Sequence, residues 1–363
     1  MTQVSTTFTH RSYLDGLRGV AILAVIVFHA WPWLLPGGAF GVDIFFVLSG
    51  YLITSLIDEE SRMHGRIDFK RFYIRRALRL LPALFLMLAF YGFVTGFRDH
   101  VAMLVVLLYA ANWWRAYVAD IGALGHTWSL SIEEQFYMLW PMIFAVFIVK
   151  LKRPAHVLLL AALAVMVYRL AMTFVFPSYR IYNGLDTRAD ALLVGCCCAL
   201  AGRARLSSWL GAGSALILAG LLFGVPLRVC ESLGFVPLSL AAFASGGLIL
   251  SLERAPGGRL ARALSFPPLN WIGKLSYGLY LWHLPIMVLP EFEHVRMPLK
   301  FAATFACASL SFYLLERPCL RLKNHYRQIP VSAIEQLSVD QSETEGYHAI
   351  NDTGAREALP FTQ

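Results

Sequence analysis

Apolar residues along this chain are gathered into eleven long runs that are separated by short polar stretches. A helix that crosses a lipid bilayer needs about 20 mostly apolar residues, and most of the runs approach that length. The pattern therefore predicts an all-α, polytopic bundle of membrane helices. The candidate helices cover 14–35, 38–57, 80–98, 101–118, 129–149, 155–176, 187–202, 208–227, 235–252, 272–290 and 299–316.

Basic residues between the runs indicate which helix ends face the cytoplasm, because short cytoplasmic loops are enriched in lysine and arginine. The richest loop, 58–79, contains six arginines and one lysine. All the basic loops lie on one side only if one run does not cross, and 101–118 is the best candidate. We therefore predict about ten transmembrane helices, cytoplasmic termini and a re-entrant segment around 101–125.

Composition agrees with a membrane protein, since 58% of the 363 residues are hydrophobic, 15% are charged and the mean hydropathy is +0.59. The last 36 residues carry six acidic residues and one arginine, a net charge of −5, which leaves +13 for the rest of a chain whose total is +8. We predict a membrane domain at 1–327 and a disordered, acidic cytoplasmic tail at 328–363. The basic charge fits cytoplasmic loops rather than a nucleic-acid partner.

The six cysteines contain no CxxC pair, and five of them lie within apolar runs or at their ends. This distribution is typical of small packing residues rather than of a disulfide or zinc framework. No metal site is predicted.

The stretch RGVAILAVIVFH places a fixed charge and an imidazole at the two ends of one apolar run, at Arg18 and His29. Three helical turns separate them, so on a helix they share a face about 16 Å apart. His29 then lies inside the membrane, where an ionisable side chain usually faces a bundle interior or a cavity. It is either a residue that packs between helices or a reactive group.

Other ionisable residues are expected at a similar depth. Asp43 lies about as far into the second run as His29 lies from the outer end of the first, and the turn between the runs is short. A carboxylate beside an imidazole orients it, as a general base requires. Glu133, Glu134 and His283 also lie within apolar runs, so the sequence predicts either a reaction site or an ion path.

Arg75, Arg76 and Arg79 fall at helical spacing just before an apolar run. They are either a cytoplasmic anchor or a binding site for a phosphorylated ligand, because guanidinium groups bind phosphate in a bidentate manner. Arg18 would face the same cytoplasmic entrance.

Six stretches in this order resemble the acyltransferase-3 family, the integral membrane O-acyltransferases of bacterial polysaccharides, lipopolysaccharide, periplasmic glucans and some antibiotics. The resemblance extends from about residue 11 to 325. It includes the arginine-to-histidine spacing of the family at Arg18 and His29 and its arginine-rich motif. The stretches are YLDGLRGVAILAVIVFH, GVDIFFVLSGYLIT, RRALRLLPAL, HTWSLSIEEQFYMLWP, TRADALLVG and SYGLYLWHLP.

The resemblance implies an acyl-CoA donor, most often acetyl-CoA, an acceptor hydroxyl on a carbohydrate or glycolipid, and a place in the bacterial inner (cytoplasmic) membrane. The donor would be a substrate, with no permanently bound cofactor. Its phosphates would bind Arg18 and the arginine-rich motif, Arg75, Arg76 and Arg79. Some family members carry an additional esterase-like domain, which is not found here. The chain is therefore expected either to complete the transfer itself or to pass the group to a separate periplasmic transferase.

The resemblance also implies roles for the buried groups. Neutral His29 would take the proton from the acceptor hydroxyl or would itself be acylated, and Asp43 would orient its ring. Glu133 or His283 would be a second acid–base group or an anchor for the acceptor. The predicted outer segment 177–190 is rich in aromatic and hydrogen-bonding residues that suit a sugar, although an ordinary wet loop has the same composition.

Two other classes of protein remain open on the residues alone. In a secondary transporter or proton-coupled exporter, His29, Asp43 and Glu133 would form a proton relay. In a structural or sensory membrane protein, the histidines would only pack between helices. The six ordered motifs favour the enzyme.

Overall fold

The computed structural model describes residues 11–201 and 209–323, and the regular structure within them is entirely helical. This confirms the all-α prediction, whereas the predicted acidic tail at 328–363 lies outside the described residues. The helices are α1 Ser12–Ala30, α2 Gly41–His64, α3 Phe69–Thr95, α4 His100–Leu107, α5 Ala111–Tyr117, α6 Thr127–Val146, α7 Pro154–Met172, α8 Ser178–Asn183, α9 Leu185–Leu200, α10 Leu210–Gly224, α11 Leu227–Ser232, α12 Val236–Arg254, α13 Arg259–Leu264, α14 Pro267–Lys274, α15 Ser276–Val288, α16 Met297–Ser311 and α17 Arg317–Lys323.

Seven helical segments of the described chain are long and apolar enough to cross a membrane. Three shorter helices, α9, α10 and α15, coincide with three further predicted runs and have 16, 15 and 13 residues. The protein is therefore a multi-pass membrane protein. The seven long segments are Ser12–Ala30, Gly38–His64, Phe69–Thr95, Thr127–Lys150, Pro154–Met172, Val236–Arg254 and Met297–Cys319.

The run at 101–118 is not one continuous helix, in agreement with the prediction that it does not cross. It is divided into α4 and α5, and Tyr109 between them has a left-handed φ of 52°. Backbone groups released by such a break need partners within the protein, because lipid offers none. The Gln135 side chain on α6 supplies one, since its Nε2 donates to the carbonyl of Tyr109 at 2.7 Å and to Asn112 Oδ1 at 2.8 Å.

Two glycines allow α2 and α9 to pack backbone against backbone. A Cβ at Gly50 would lie 2.0 Å from the carbonyl oxygen of Leu192, and a Cβ at Gly195 would lie 2.1 Å from that of Val47. Small residues at a crossing let membrane helices approach closely, and the gain is van der Waals contact. This contact fixes the position of the polar residues at the beginning of both helices.

Replacement of Gly195 by leucine should therefore destabilise the protein, because the side chain has no space between α2 and α9. We expect a loss of about 1–3 kcal/mol or more, measured as a lower melting temperature in detergent. Gly213→Leu is a matched control, since a Cβ at Gly213 would meet nothing within 4 Å. Equal melting temperatures for the two variants would contradict the close packing.

Candidate active site

Three histidines from three separate segments meet inside the bundle. The ring centroids of His29 and His283 lie 5.0 Å apart, and those of His126 and His283 also lie 5.0 Å apart. His283 is fully buried, His126 is 4% exposed and His29 is partly buried. The structure thus brings together the predicted residues His29 and His283 and adds His126, which immediately precedes α6.

Hydrogen bonds to backbone carbonyls determine the tautomer of two of these rings. Nδ1 lies 2.8 Å from the Val25 oxygen in His29, and 2.7 Å from the Tyr280 oxygen in His283. Because a carbonyl oxygen only accepts, each Nδ1 carries the hydrogen and each neutral ring keeps a basic lone pair on Nε2. Nε2 of His283 and both ring nitrogens of His126 have no hydrogen-bond partner among the described residues. Such unpaired buried nitrogens are costly and typical of a functional site.

Tyr280 connects this histidine cluster (His29, His126 and His283) to the beginning of α6. Its hydroxyl donates to the His126 carbonyl at 2.7 Å and lies 2.5 Å from Ser129 Oγ. A phenol has one hydrogen, so Ser129 is the donor in the second bond. The Tyr280 ring also contacts both imidazoles, with centroid distances of 5.3 Å to His126 and 5.4 Å to His283.

A small cavity of about 50 Å³ extends from Arg18 to Tyr280 and Ser129. It lies between α1, α2, α6 and α15, and Glu133 is part of its wall. Glu133 Oε1 accepts a hydrogen bond from Ser49 Oγ at 2.6 Å. The predicted residue Glu133 therefore faces the cavity that leads to the histidine cluster.

The four predicted ligand-binding arginines divide into two pairs. Arg75 lies 3.6 Å from a carboxylate oxygen of Glu60, and Arg76 forms a bidentate pair with Glu134 at 2.6 and 3.0 Å. Arg18 and Arg79 form no ion pair with any residue in the described part of the chain, and the charges of Arg18 and, with opposite sign, Asp15 act on Arg79. Arg18 lines the cavity, and two neighbouring guanidinium groups without a salt bridge are suited to bind an anion.

The structure contradicts the predicted role of Asp43 as the group that orients His29. Asp43 Oδ1 instead accepts a hydrogen bond from Arg188 Nη2 of α9 at 3.0 Å, and both side chains are almost fully buried. The ring of His29 is oriented by the carbonyl of Val25. His29 and Asp43 were expected to meet because they lie at similar depths on two neighbouring antiparallel helices. Asp43 instead points towards α9, the helix packed most closely against α2, and pairs with Arg188.

The predicted end of the first helix was also wrong. Helix α1 ends at Ala30 rather than at residue 35, so His29 lies in its last turn. The helix stops because Trp31 precedes Pro32, and a residue before proline is disfavoured in the α conformation; Trp31 has φ −143° and ψ 73°.

Several polar residues of the segment 177–190 form ion pairs within the protein. Arg169 of α7 forms a bidentate pair with Asp190 of α9 at 2.8 and 2.9 Å, with both side chains at most 3% exposed. Arg180 forms a bidentate pair with Asp186 at 3.0 and 2.8 Å. These partners could not be predicted from the sequence, because they lie on different elements or face each other across a turn.

Together, the helices and the buried polar groups define a multi-pass membrane protein with a buried histidine cluster beside a polar cavity. A family model described as an acyltransferase domain, Acyl_transf_3, matches residues 11–292. The chain belongs to this acyltransferase-3 family, as its motifs indicated.

Two relatives have names that describe an activity. The chain is 36% identical to the peptidoglycan O-acetyltransferase OatA of Listeria monocytogenes and 33% identical to the O-acetyltransferase OatA of Staphylococcus aureus. The matches cover 86% and 84% of this chain but 57% and 56% of the relatives. The chain thus spans little more than half the length of these curated relatives. No solved structure matches it.

Substitution of His29 should abolish acyltransferase activity without loss of the folded protein. In His29→Gln the basic Nε2 is removed while a polar side chain remains, and loss of a general base typically costs about 10²- to 10⁴-fold in rate. Incorporation of labelled acyl groups measures the effect. His156→Gln on the exposed surface of α7 is the matched control. Full activity of a well-folded His29→Gln variant would exclude His29 from the reaction.

Proposed function

We propose that this protein is a membrane O-acyltransferase that moves an acyl group, in the simplest case acetyl, from acyl-CoA to a hydroxyl of a carbohydrate or glycolipid. The observation that carries the proposal is the cavity lined by Arg18 and Tyr280. Tyr280 contacts His126 and His283, which have buried ring nitrogens without a partner among the described residues. The names of the relatives support acetyl as the group and a glycan as the acceptor.

The donor end is formed by Arg18 and Arg79. Two like charges close together in a partly buried position repel each other, and an anion between them would relieve that repulsion. CoA carries several phosphate charges and a long, thin pantetheine arm that ends in the thioester. With the phosphates at the arginines, the arm would follow the cavity towards Tyr280 and Ser129 and bring the thioester to the histidines.

The chemistry requires a base at the histidine end. Nε2 of His29 would take the proton from the acceptor hydroxyl, whose oxygen attacks the thioester carbonyl carbon; the C–S bond then breaks and the CoA sulfur leaves with a proton. His283 places a second basic Nε2 beside the first and would share that proton. The same lone pair on His29 also suits a route in which the imidazole is acylated first and then passes the group to the hydroxyl.

The contacts of Asp43 do not favour the transporter alternative. A proton relay through His29, Asp43 and Glu133 needs these groups to be connected, but Asp43 is paired with Arg188 and Glu133 with Ser49. The family favours an enzyme as well. We place the protein in the bacterial inner membrane, with a cytoplasmic donor and a periplasmic acceptor, which is either the glycan or a separate transferase.

The test is acyl transfer by the purified protein in detergent, with labelled acetyl-CoA and a β-1,4-linked N-acetylglucosamine tetrasaccharide. We expect an acetyl ester, detected by mass spectrometry, and a higher KM for acetyl-CoA in Arg18→Ala and Arg79→Ala. Loss of one charge-assisted hydrogen bond costs about 1.5–3 kcal/mol, which corresponds to roughly 10- to 150-fold in KM.

Arg66→Ala is the matched control, because Arg66 is an exposed arginine of the same basic loop. If wild-type protein forms no ester, the proposed activity is wrong. An ester together with unchanged KM in Arg18→Ala and Arg79→Ala would contradict the donor site alone.

A further inference from the structure

Four residues form a compact surface cluster where α5 meets α8, which we call the aromatic platform: Trp113, Tyr117, Arg180 and Asp186. Arg180 is its centre, since the guanidinium forms the bidentate pair with Asp186 and its Nε donates to the Tyr117 hydroxyl at 2.6 Å. The guanidinium carbon also lies 5.4 Å from the centroid of the Trp113 ring and 5.0 Å from that of Tyr117. The cluster therefore has a fixed geometry.

The two aromatic rings of the platform are nearly parallel and reach the surface. Trp113 and Tyr117 lie one helical turn apart on α5, with ring planes within 16° and centroids 6.1 Å apart. Tyr117 is 60% exposed. The indole N–H of Trp113 already donates to Gln135 Oε1 at 3.1 Å, so what the tryptophan offers to a ligand is its apolar ring.

The helices that carry the platform contact residues close to His126. Arg115 of α5 donates from Nη1 to the carbonyl of Gly125 at 2.9 Å, and Gly125 immediately precedes His126. From α8, the Tyr182 ring packs on Trp128, two residues after His126, with a centroid distance of 4.8 Å. Both α5 and α8 therefore pack against the segment that contains His126.

We propose that the aromatic platform binds a saccharide ring of the acceptor and presents its hydroxyl to the histidine cluster. The inference rests on the proposed function, which supplies a hydroxylated acceptor. A sugar has apolar C–H faces that pack on aromatic rings and hydroxyls that hydrogen-bond to charged groups, and the platform provides both. Two other ligands fit the platform less well. A lipid chain has no polar group to offer the arginine–aspartate pair, and the anionic acyl-CoA donor is expected to bind at Arg18 and Arg79 instead. The composition of 177–190 predicts sugar binding in that segment, whereas two of the four platform residues, Trp113 and Tyr117, lie on α5.

Direct binding tests the platform without requiring turnover. Titration calorimetry of the purified full chain in detergent with the N-acetylglucosamine tetrasaccharide should show binding. Tyr117→Ala and Trp113→Ala should each weaken it, by about tenfold if one stacked ring is worth 1.4 kcal/mol, and Tyr117→Phe should retain most of the affinity because it keeps the ring. Phe174→Ala is the control, since Phe174 is an 85% exposed aromatic residue outside the platform.

Equal affinity in all variants, or no binding by the wild type, would overturn the inference. The two rings would then be part of an aromatic belt at the membrane surface.

In the transfer assay, Tyr117→Ala should raise the KM for the acceptor and leave the KM for acetyl-CoA unchanged. One outcome is that the wild-type protein transfers acetyl groups while both KM values are the same in the platform variants and the control. That result would reject the sugar-binding role of the platform and leave the proposed function intact. An absence of transfer by the wild type would instead reject the function.

Discussion

Every polar group placed inside a bilayer has to find its partner within the protein, because lipid offers none. This constraint explains how the helices are held. Asp43 and Arg188 join α2 to α9, while Arg169 and Asp190 join α7 to α9, all with side chains at most 3% exposed. The break between α4 and α5 obeys the same constraint through the side chain of Gln135. Helix α9 is consequently fixed on two sides by buried ion pairs.

Several buried polar atoms are exceptions to this constraint. Some lie outside the candidate active site, as Asp43 Oδ2 and two nitrogens of Arg188 do, and others lie within it. The ring nitrogens of His126 and Nε2 of His283 have no partner among the described residues, and Arg18 and Arg79 have no carboxylate partner there. Buried groups of this kind lower stability and are retained at sites where a ligand completes them. Arg18 and Tyr280 line one cavity, and Tyr280 contacts His126 and His283. This arrangement gives the proposed transfer a direction, from the arginines to the histidines.

Much of the fold could be predicted from the sequence, because runs of apolar residues and the sidedness of basic loops depend on local composition. The charge distribution predicted that 101–118 does not cross, and the run is divided into α4 and α5. His29 and His283 were each identified as candidate site residues because ionisable residues are rare in apolar runs. The end of α1 was misplaced, although Pro32 was a readable signal.

Partner choice could not be predicted, because depth along a helix says nothing about the direction in which a side chain points. Asp43 was matched to His29 by depth and in fact pairs with Arg188. His126 was not identified as a site residue because the predicted apolar run began at residue 129, whereas α6 begins at Thr127 and His126 immediately precedes it. The bidentate pair of Arg76 with Glu134 likewise depends on the packing of α3 against α6, which no local pattern specifies.

The central claim is that donor and acceptor reach the histidine cluster from opposite faces of the membrane. It is tested most directly in proteoliposomes with labelled acetyl-CoA outside and the tetrasaccharide trapped inside. If the acyl group crosses the membrane through this protein, acetyl ester should form inside the vesicles while CoA remains outside. The His29→Gln variant should form no ester. Ester formation only when acetyl-CoA and tetrasaccharide are supplied on the same face would contradict it.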